Sequence, residues 1–154
     1  MYKYFIFCLL CFLGACGEQN NNPATQQYMT AYVNGELWQA TTFRAAIRNG
    51  VLTIAGQTAT QEKIQIILVG TTPSEYQFSN ITESRATYQP GMVAPADLYS
   101  TKENINAGGR ASISYIDLTS KLVSGSFEFV SYQVGGVNVR TISRGMFWNV
   151  PIGE

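Results

Sequence analysis

Two Asn-Gly dipeptides constrain the fold of this chain more tightly than any other feature. Asn34-Gly35 stands between residues 29–33 and 36–40, and Asn49-Gly50 between residues 43–48 and 51–56. The pair favours a two-residue type I′ turn, whose central residues both take positive φ, and such a turn joins adjacent antiparallel strands. It also fixes register. The second turn sets Arg48 opposite Val51, Ile47 opposite Leu52 and Ala45 opposite Ile54. One face then carries Phe43, Ala45, Ile47, Leu52 and Ile54. The other carries Arg44, Ala46, Arg48, Val51, Thr53 and Ala55. The larger apolar side chains sort onto one face, as a half-buried sheet requires, and a one-residue slip scrambles them. The first turn puts Met29, Ala31, Val33, Trp38 and Ala40 together, with Glu36 beside the turn. Its second face, with Tyr28, Thr30, Tyr32, Leu37, Gln39 and Thr41, is amphipathic. That pattern predicts a hairpin covered on both sides or one that meets a ligand.

The rest of the chain continues the pattern. Residues 63–69 are apolar on both faces, which predicts a central strand. Short strands are expected at residues 76–78, 86–88 and 97–101. Between residues 79 and 109 the chain is interrupted by Pro90-Gly91, Pro95 and Gly108-Gly109, which predicts long loops. Residues 110–118 and 122–132 flank a turn at residues 119–121, and Phe127 and Phe129 are expected to point inward. Residues 137–143 and 145–148 form the last strand, kinked at Gly145. No amphipathic helix of useful length appears. The prediction is an all-β fold, an antiparallel sandwich or barrel of about nine or ten strands, in a single β domain over residues 28–154. A composition of 45% hydrophobic and only 13% charged residues agrees with it.

Residues 1–15 read as a signal peptide. One charge at Lys3 precedes an apolar run from Phe5 to Leu13, too short for the roughly 20 residues of a bilayer span. Leu13-Gly14-Ala15-Cys16 resembles the lipobox of bacterial lipoproteins. The resemblance implies that the Cys16 thiol takes a diacylglycerol, that the bond before it is cut, and that the new amino terminus is acylated. Leu13, Gly14 and Ala15 are then the residues the peptidase recognises. Two or three acyl chains make release negligible where one is marginal. Residues 16–27 are read as the lipidated cysteine and a flexible linker. The polar, low-complexity stretch 17–27 is expected to be disordered and to reach at most ~40 Å. Cys8 and Cys11 leave with the leader, so the mature chain has one cysteine and no intramolecular disulfide.

Residues 32–40, residues 64–69, Ile116-Asp117, residues 123–129, Gly145 and Phe147 together resemble small uncharacterised lipoproteins common in Bacteroidetes, over about residues 28–150. The resemblance implies an all-β domain behind a lipobox signal peptide and no assigned activity. Only the lipidated cysteine carries over. Many such lipoproteins have a charged stretch after the cysteine that favours surface export. Here Glu18 is followed by Gln19 and three asparagines, so the outer-membrane location expected for this chain faces either the periplasm or the cell surface.

Catalytic chemistry is hard to find. The chain has no histidine, which removes imidazole-based triads and the commonest zinc ligand. No calcium loop, phosphate loop or nucleophile elbow is present, and Ser124-Gly125-Ser126 lacks the required frame. No metal or cofactor is expected. Asp117 reads as a turn residue, and Ser120-Lys121 as a solvated corner rather than a dyad. Arg44, Arg48, Arg85, Arg110, Arg140 and Arg144 are scattered with no basic run, which argues against nucleic acid. Trp38 is expected in the core, and Trp148 to close it near the terminus. Tyr88, Tyr99 and Tyr132 fall in or near loop-rich segments. Tyrosine is at home on sheet surfaces, and exposed ones beside Gln and Asn suit glycan or peptide contact.

The expected function is a membrane-anchored, non-catalytic binding or structural module of the bacterial envelope. Its partner would be an envelope protein or glycan, met by loops within residues 79–109. One alternative is a lipocalin-like carrier of a small apolar ligand, excluded by a core filled with Phe127, Phe129, Trp38 and Ile66. Another is a hydrolase with two acids about 5–10 Å apart.

Overall fold

The computed structural model describes residues 26–91 and 97–153. The leader, the lipobox residues Leu13, Gly14, Ala15 and Cys16, and the linker as far as Thr25 lie outside the described residues. Among the described residues there are eleven strands: β1 (Tyr28–Val33), β2 (Glu36–Gln39), β3 (Thr42–Arg48), β4 (Val51–Gln57), β5 (Lys63–Val69), β6 (Glu75–Ser79), β7 (Arg85–Gln89), β8 (Tyr99–Ser100), β9 (Gly108–Asp117), β10 (Leu122–Gln133) and β11 (Val139–Gly153). The short runs near residues 76, 86 and 99 are all realised as strands, so the count exceeds nine or ten.

Both Asn-Gly turns form as their chemistry requires. Asn34 and Gly35 have φ of 51° and 90°, and Asn49 and Gly50 of 51° and 76°. Val33 lies opposite Glu36 and Ala31 opposite Trp38. Arg48 lies opposite Val51, Ile47 opposite Leu52 and Ala45 opposite Ile54.

All eleven strands belong to one hydrogen-bonded sheet that folds over into two layers, β2-β1-β11-β10-β9-β6 and β3-β4-β5-β7-β8. Two seams join them into a ring. At one, Ile152 and Gly153 pair in parallel with Ala45 and Ala46. At the other, Tyr132 and Gln133 pair with Ser100 and Tyr99. Sandwich and barrel are therefore not exclusive here, because the sandwich is stitched along both edges. Strand β11, with 15 residues, makes this possible. Its residues 142–148 have β10 on one edge and β1 on the other, and beyond Pro151 it reaches β3. It bends at Arg144 and Asn149, where φ is 50° and 48° and its register with β10 skips. The kink expected at Gly145 thus starts one residue earlier. Gly145 itself is required because a Cβ there would collide with the Phe127 ring.

The inner faces of the two layers fill the space between them. Met29, Ala31, Trp38, Phe127, Phe129, Ile142 and Phe147 from one layer share a single buried cluster with Ala45, Leu52, Ile54, Ile64, Ile66 and Leu68 from the other. Each large aliphatic or aromatic side chain buried this way contributes about 1.5–3 kcal/mol. Phe78, Phe129, Phe127 and Phe147 form a chain of rings with centroids 6.3–6.4 Å apart. Phe127, Phe129, Trp38 and Ile66 are all buried, so the interior is a packed core and the condition set against a carrier barrel is met.

Strand β5 is central, as expected, with β4 and β7 on its two edges. Ile64, Ile66 and Leu68 are buried, while Val69 is 44% exposed. Two expectations are corrected. Trp148 does not close the core. Alternation along β11 turns Phe147 inward and leaves Trp148 37% exposed. Tyr88 and Tyr99 are not surface residues. Their segment supplies β7 and β8, the wall at the second seam, and both are buried with ring centroids 6.1 Å apart. Within residues 79–109, β7 and β8 are wall, and most of the other described residues there are turn or loop, as expected.

Candidate functional site

With the interior filled, any ligand must meet an outer face. On the layer β3-β4-β5-β7-β8, alternation turns Arg44, Arg48, Lys63 and Arg85 outward. Their neighbours are small. Arg44 lies opposite Ala55, which lies opposite Gln65. Ala46 lies opposite Thr53, then Ile67, then Arg85. Ala46, Thr53 and Ala55 leave a floor lower than the long side chains around it. The result is a surface hollow of about 410 Å³ whose lining includes Arg44, Arg48, Lys63, Gln65 and no acidic residue.

Among the described residues, the two ion pairs are both made by Arg110 on the opposite layer. Arg44, Arg48, Lys63 and Arg85 have no ion-pair partner there. Like charges gathered on one face create a positive potential that draws anions and raises their local concentration. Arginine adds a planar fork of donors that fits a carboxylate or phosphate with two parallel hydrogen bonds.

The other outer face is organised in rows. Nearest the start of β1, Tyr28 lies opposite Trp148, and Ser124 opposite Tyr115. The next row runs Gln39, Thr30, Met146, Ser126, Ser112 and Glu75. A further row includes Leu37, Tyr32, Glu128, Arg110 and Gln77. Arg110 bonds Glu128 at 2.9 Å and Glu75 at 3.5 Å, and the Arg144 guanidinium lies 5.9 Å from the Tyr32 ring centre. These half-exposed pairs contribute about 0–1 kcal/mol each. The amphipathic face of the first hairpin is thus an outer face, left uncovered by the described residues.

The remaining candidates resolve as local structure. Asp117 accepts hydrogen bonds from the Thr119 and Ser120 amides at 2.8 and 3.2 Å, and from the Ser120 hydroxyl at 2.5 Å. The Ser120 hydroxyl is the largest cause holding its carboxyl down to about 2, with the two amides next. Asp117 is a turn residue, and the Ser120 hydroxyl is directed to it rather than to Lys121. Glu75 and Glu128 are both engaged by the Arg110 guanidinium. Tyr88 donates to Glu62 at 2.9 Å, and burial, helped by that carboxylate, pushes its phenol well above the usual range. Among the described residues no group of three acids or sulfur ligands is able to hold a metal, and no helix is long and apolar enough to cross a membrane.

The cationic hollow is what sequence reading missed. A partial signal existed, because the second hairpin's register already set Arg44 and Arg48 on one outward face. Lys63 and Arg85 join them only through the β4–β5 and β5–β7 pairings.

A family profile described as a domain of unknown function, DUF6252, matches residues 21–151. The chain belongs to the DUF6252 family. No curated protein and no solved structure matches it. The DUF6252 match takes in every strand but the last two residues of β11. The resemblance to uncharacterised proteins holds at that level, and membership assigns no activity.

Proposed function

We propose that this DUF6252 protein is a non-catalytic binding module, tethered to the bacterial outer membrane by lipid on Cys16. Its ligand is an anionic group of an envelope partner, a carboxylate or phosphate on a glycan, held in the hollow between Arg44, Arg48 and Lys63. The observation that carries the reading is the hollow itself: three unpaired cations among the described residues, around a floor of small side chains, with no acid in the lining. The tether rests on Leu13-Gly14-Ala15-Cys16 and the polar stretch that follows. The lack of histidine, and the engagement of Glu75 and Glu128 by Arg110, support binding over hydrolysis.

Two measurements test this. The mature membrane-fraction protein should begin at an acylated Cys16, and Cys16→Ser should release it to the soluble fraction. A different mature terminus, or identical fractionation of the variant, removes the anchor. For the hollow, an oligogalacturonate is titrated against a neutral gluco-oligosaccharide of the same length. The acidic probe should bind, and the triple change Arg44→Ala, Arg48→Ala, Lys63→Ala should weaken it tenfold or more, while Arg110→Ala on the opposite layer leaves it unchanged. Equal binding by the triple variant sinks the assignment.

A further inference from the structure

The chain enters the sheet beside an aromatic row. The Gln26 carbonyl accepts a hydrogen bond from Asn149 Nδ2 at 3.2 Å, so the start of β1 is held against the far end of β11. Two residues on, Tyr28 is the partner of Trp148. At Trp148 and Asn149, β11 carries an extra residue opposite Ser124, and Ser124 is in turn the partner of Tyr115. Tyr28, Trp148 and Tyr115 therefore cross strands β1, β11 and β9 in a single row. Trp148 is 37% and Tyr115 48% exposed, and Leu118, in the turn just beyond β9, is 64% exposed. Glu75, Arg110, Glu128 and Arg144 lie in the rows farther from that end, while the Asp117 carboxylate accepts a hydrogen bond from the Tyr115 hydroxyl at 3.2 Å.

Apolar and aromatic groups thus concentrate where the chain enters, with the Asp117 carboxylate at the Tyr115 edge of the row. Trp and Tyr have an apolar body and a polar tip, which suits them to the headgroup level of a bilayer. Cys16 stands ten residues before Gln26 in the sequence, a separation of at most ~35 Å. A short tether raises the effective concentration of a surface near its anchor to about the millimolar range. A contact too weak to hold a free domain is then populated.

We propose that the row of Tyr28, Trp148 and Tyr115 seats the domain on the phospholipid surface, with Trp148 at headgroup depth. This rests on the reading of Cys16 as the lipidated residue. The seat gives the domain one orientation instead of a free swing about its linker.

The two tryptophans make the test direct. Trp38 is 2% exposed and shielded by the core, so contact quenching reports Trp148. The full mature lipoprotein is reconstituted into phosphatidylcholine vesicles carrying bromine at either a shallow or a deep acyl position. Shallow bromines should quench about a third or more of the emission, deep ones clearly less, and Trp148→Phe should abolish the quenching. Protein that floats with the vesicles while Trp148 stays unquenched and open to iodide overturns the seat and leaves the anchor intact. Protein that fails to float removes the anchor, and the seat with it. Emission changes on adding a neutral oligosaccharide, with none on vesicles, would make the row a sugar platform and overturn the proposal.

Discussion

Asp117 ends β9 and draws three hydrogen bonds from the two residues that turn the chain back. Its folded pKa of about 2 lies below the ordinary 3.8, chiefly through the Ser120 hydroxyl. A depressed carboxylate adds stability above its unfolded pKa and loses it as pH falls toward the folded one. The contribution of this turn is therefore complete above about pH 4–5 and fades toward pH 2. Ser120→Ala should raise the Asp117 pKa toward 3.8, read by NMR titration of its carboxyl carbon. An unmoved midpoint would assign the effect to the backbone amides and the Tyr115 hydroxyl. This role was legible in the sequence because an Asx turn is local. The burial of Tyr88 and Tyr99 was not, because it arises at a seam between strands distant in the chain. Trp38 is core as expected, yet its Nε1 has no hydrogen-bond partner among the described residues. An unpaired buried donor costs about 1–3 kcal/mol, a cost set against the large apolar surface the indole buries.

Strands β10 and β11 are held close by glycine on both sides of the ladder. A Cβ on Gly125 would collide with the Ser112 carbonyl oxygen and the Phe147 ring. That carbonyl belongs to the β9 backbone and has little room to retreat. Gly35 differs, with open space around it and a φ of 90°. Gly125→Ala should cost toward the upper end of ~1–3 kcal/mol through overpacking. Gly35→Ala should cost about 1–2 kcal/mol through backbone strain alone. Urea unfolding of the two variants checks the order, and a Gly125→Ala cost below that of Gly35→Ala would contradict the crowding. At this scale the hairpins were readable residue by residue, because turn chemistry and alternation act over short distances. The seams were not. Nothing near Ala45 announces Ile152, and the parallel contact between them depends on both layers already existing.

The whole molecule is neutral by formal count but sorted in space. Arg44, Arg48, Lys63 and Arg85 stand without ion-pair partners among the described residues on one outer face, while Glu75 and Glu128 share Arg110 on the other. Reading along the chain, the arginines looked scattered and argued against nucleic acid. Folding brings them together through pairings that sequence order hides. An anion held by exposed cations is screened by salt, since the Debye length shrinks from about 14 Å at 0.05 M to about 7 Å at 0.2 M. Binding of the acidic probe should weaken severalfold over that range, and the triple variant should show a flat response. A salt-independent affinity in the native protein would point to a mode other than charge.

Strand β11 also sets the order of events in time. It is the last of the eleven strands in chain order, and three others wait on it. Until it arrives, β1 lacks its second neighbour, β10 its second edge and β3 its seam. Closure is therefore a late step that depends on contacts between distant parts of the chain, the kind that folds slowly. A nascent chain halted before β11 presents unpaired edges to any other strand it meets. The same stitching that leaves the finished ring tightly closed makes the unfinished one prone to associate with its neighbours.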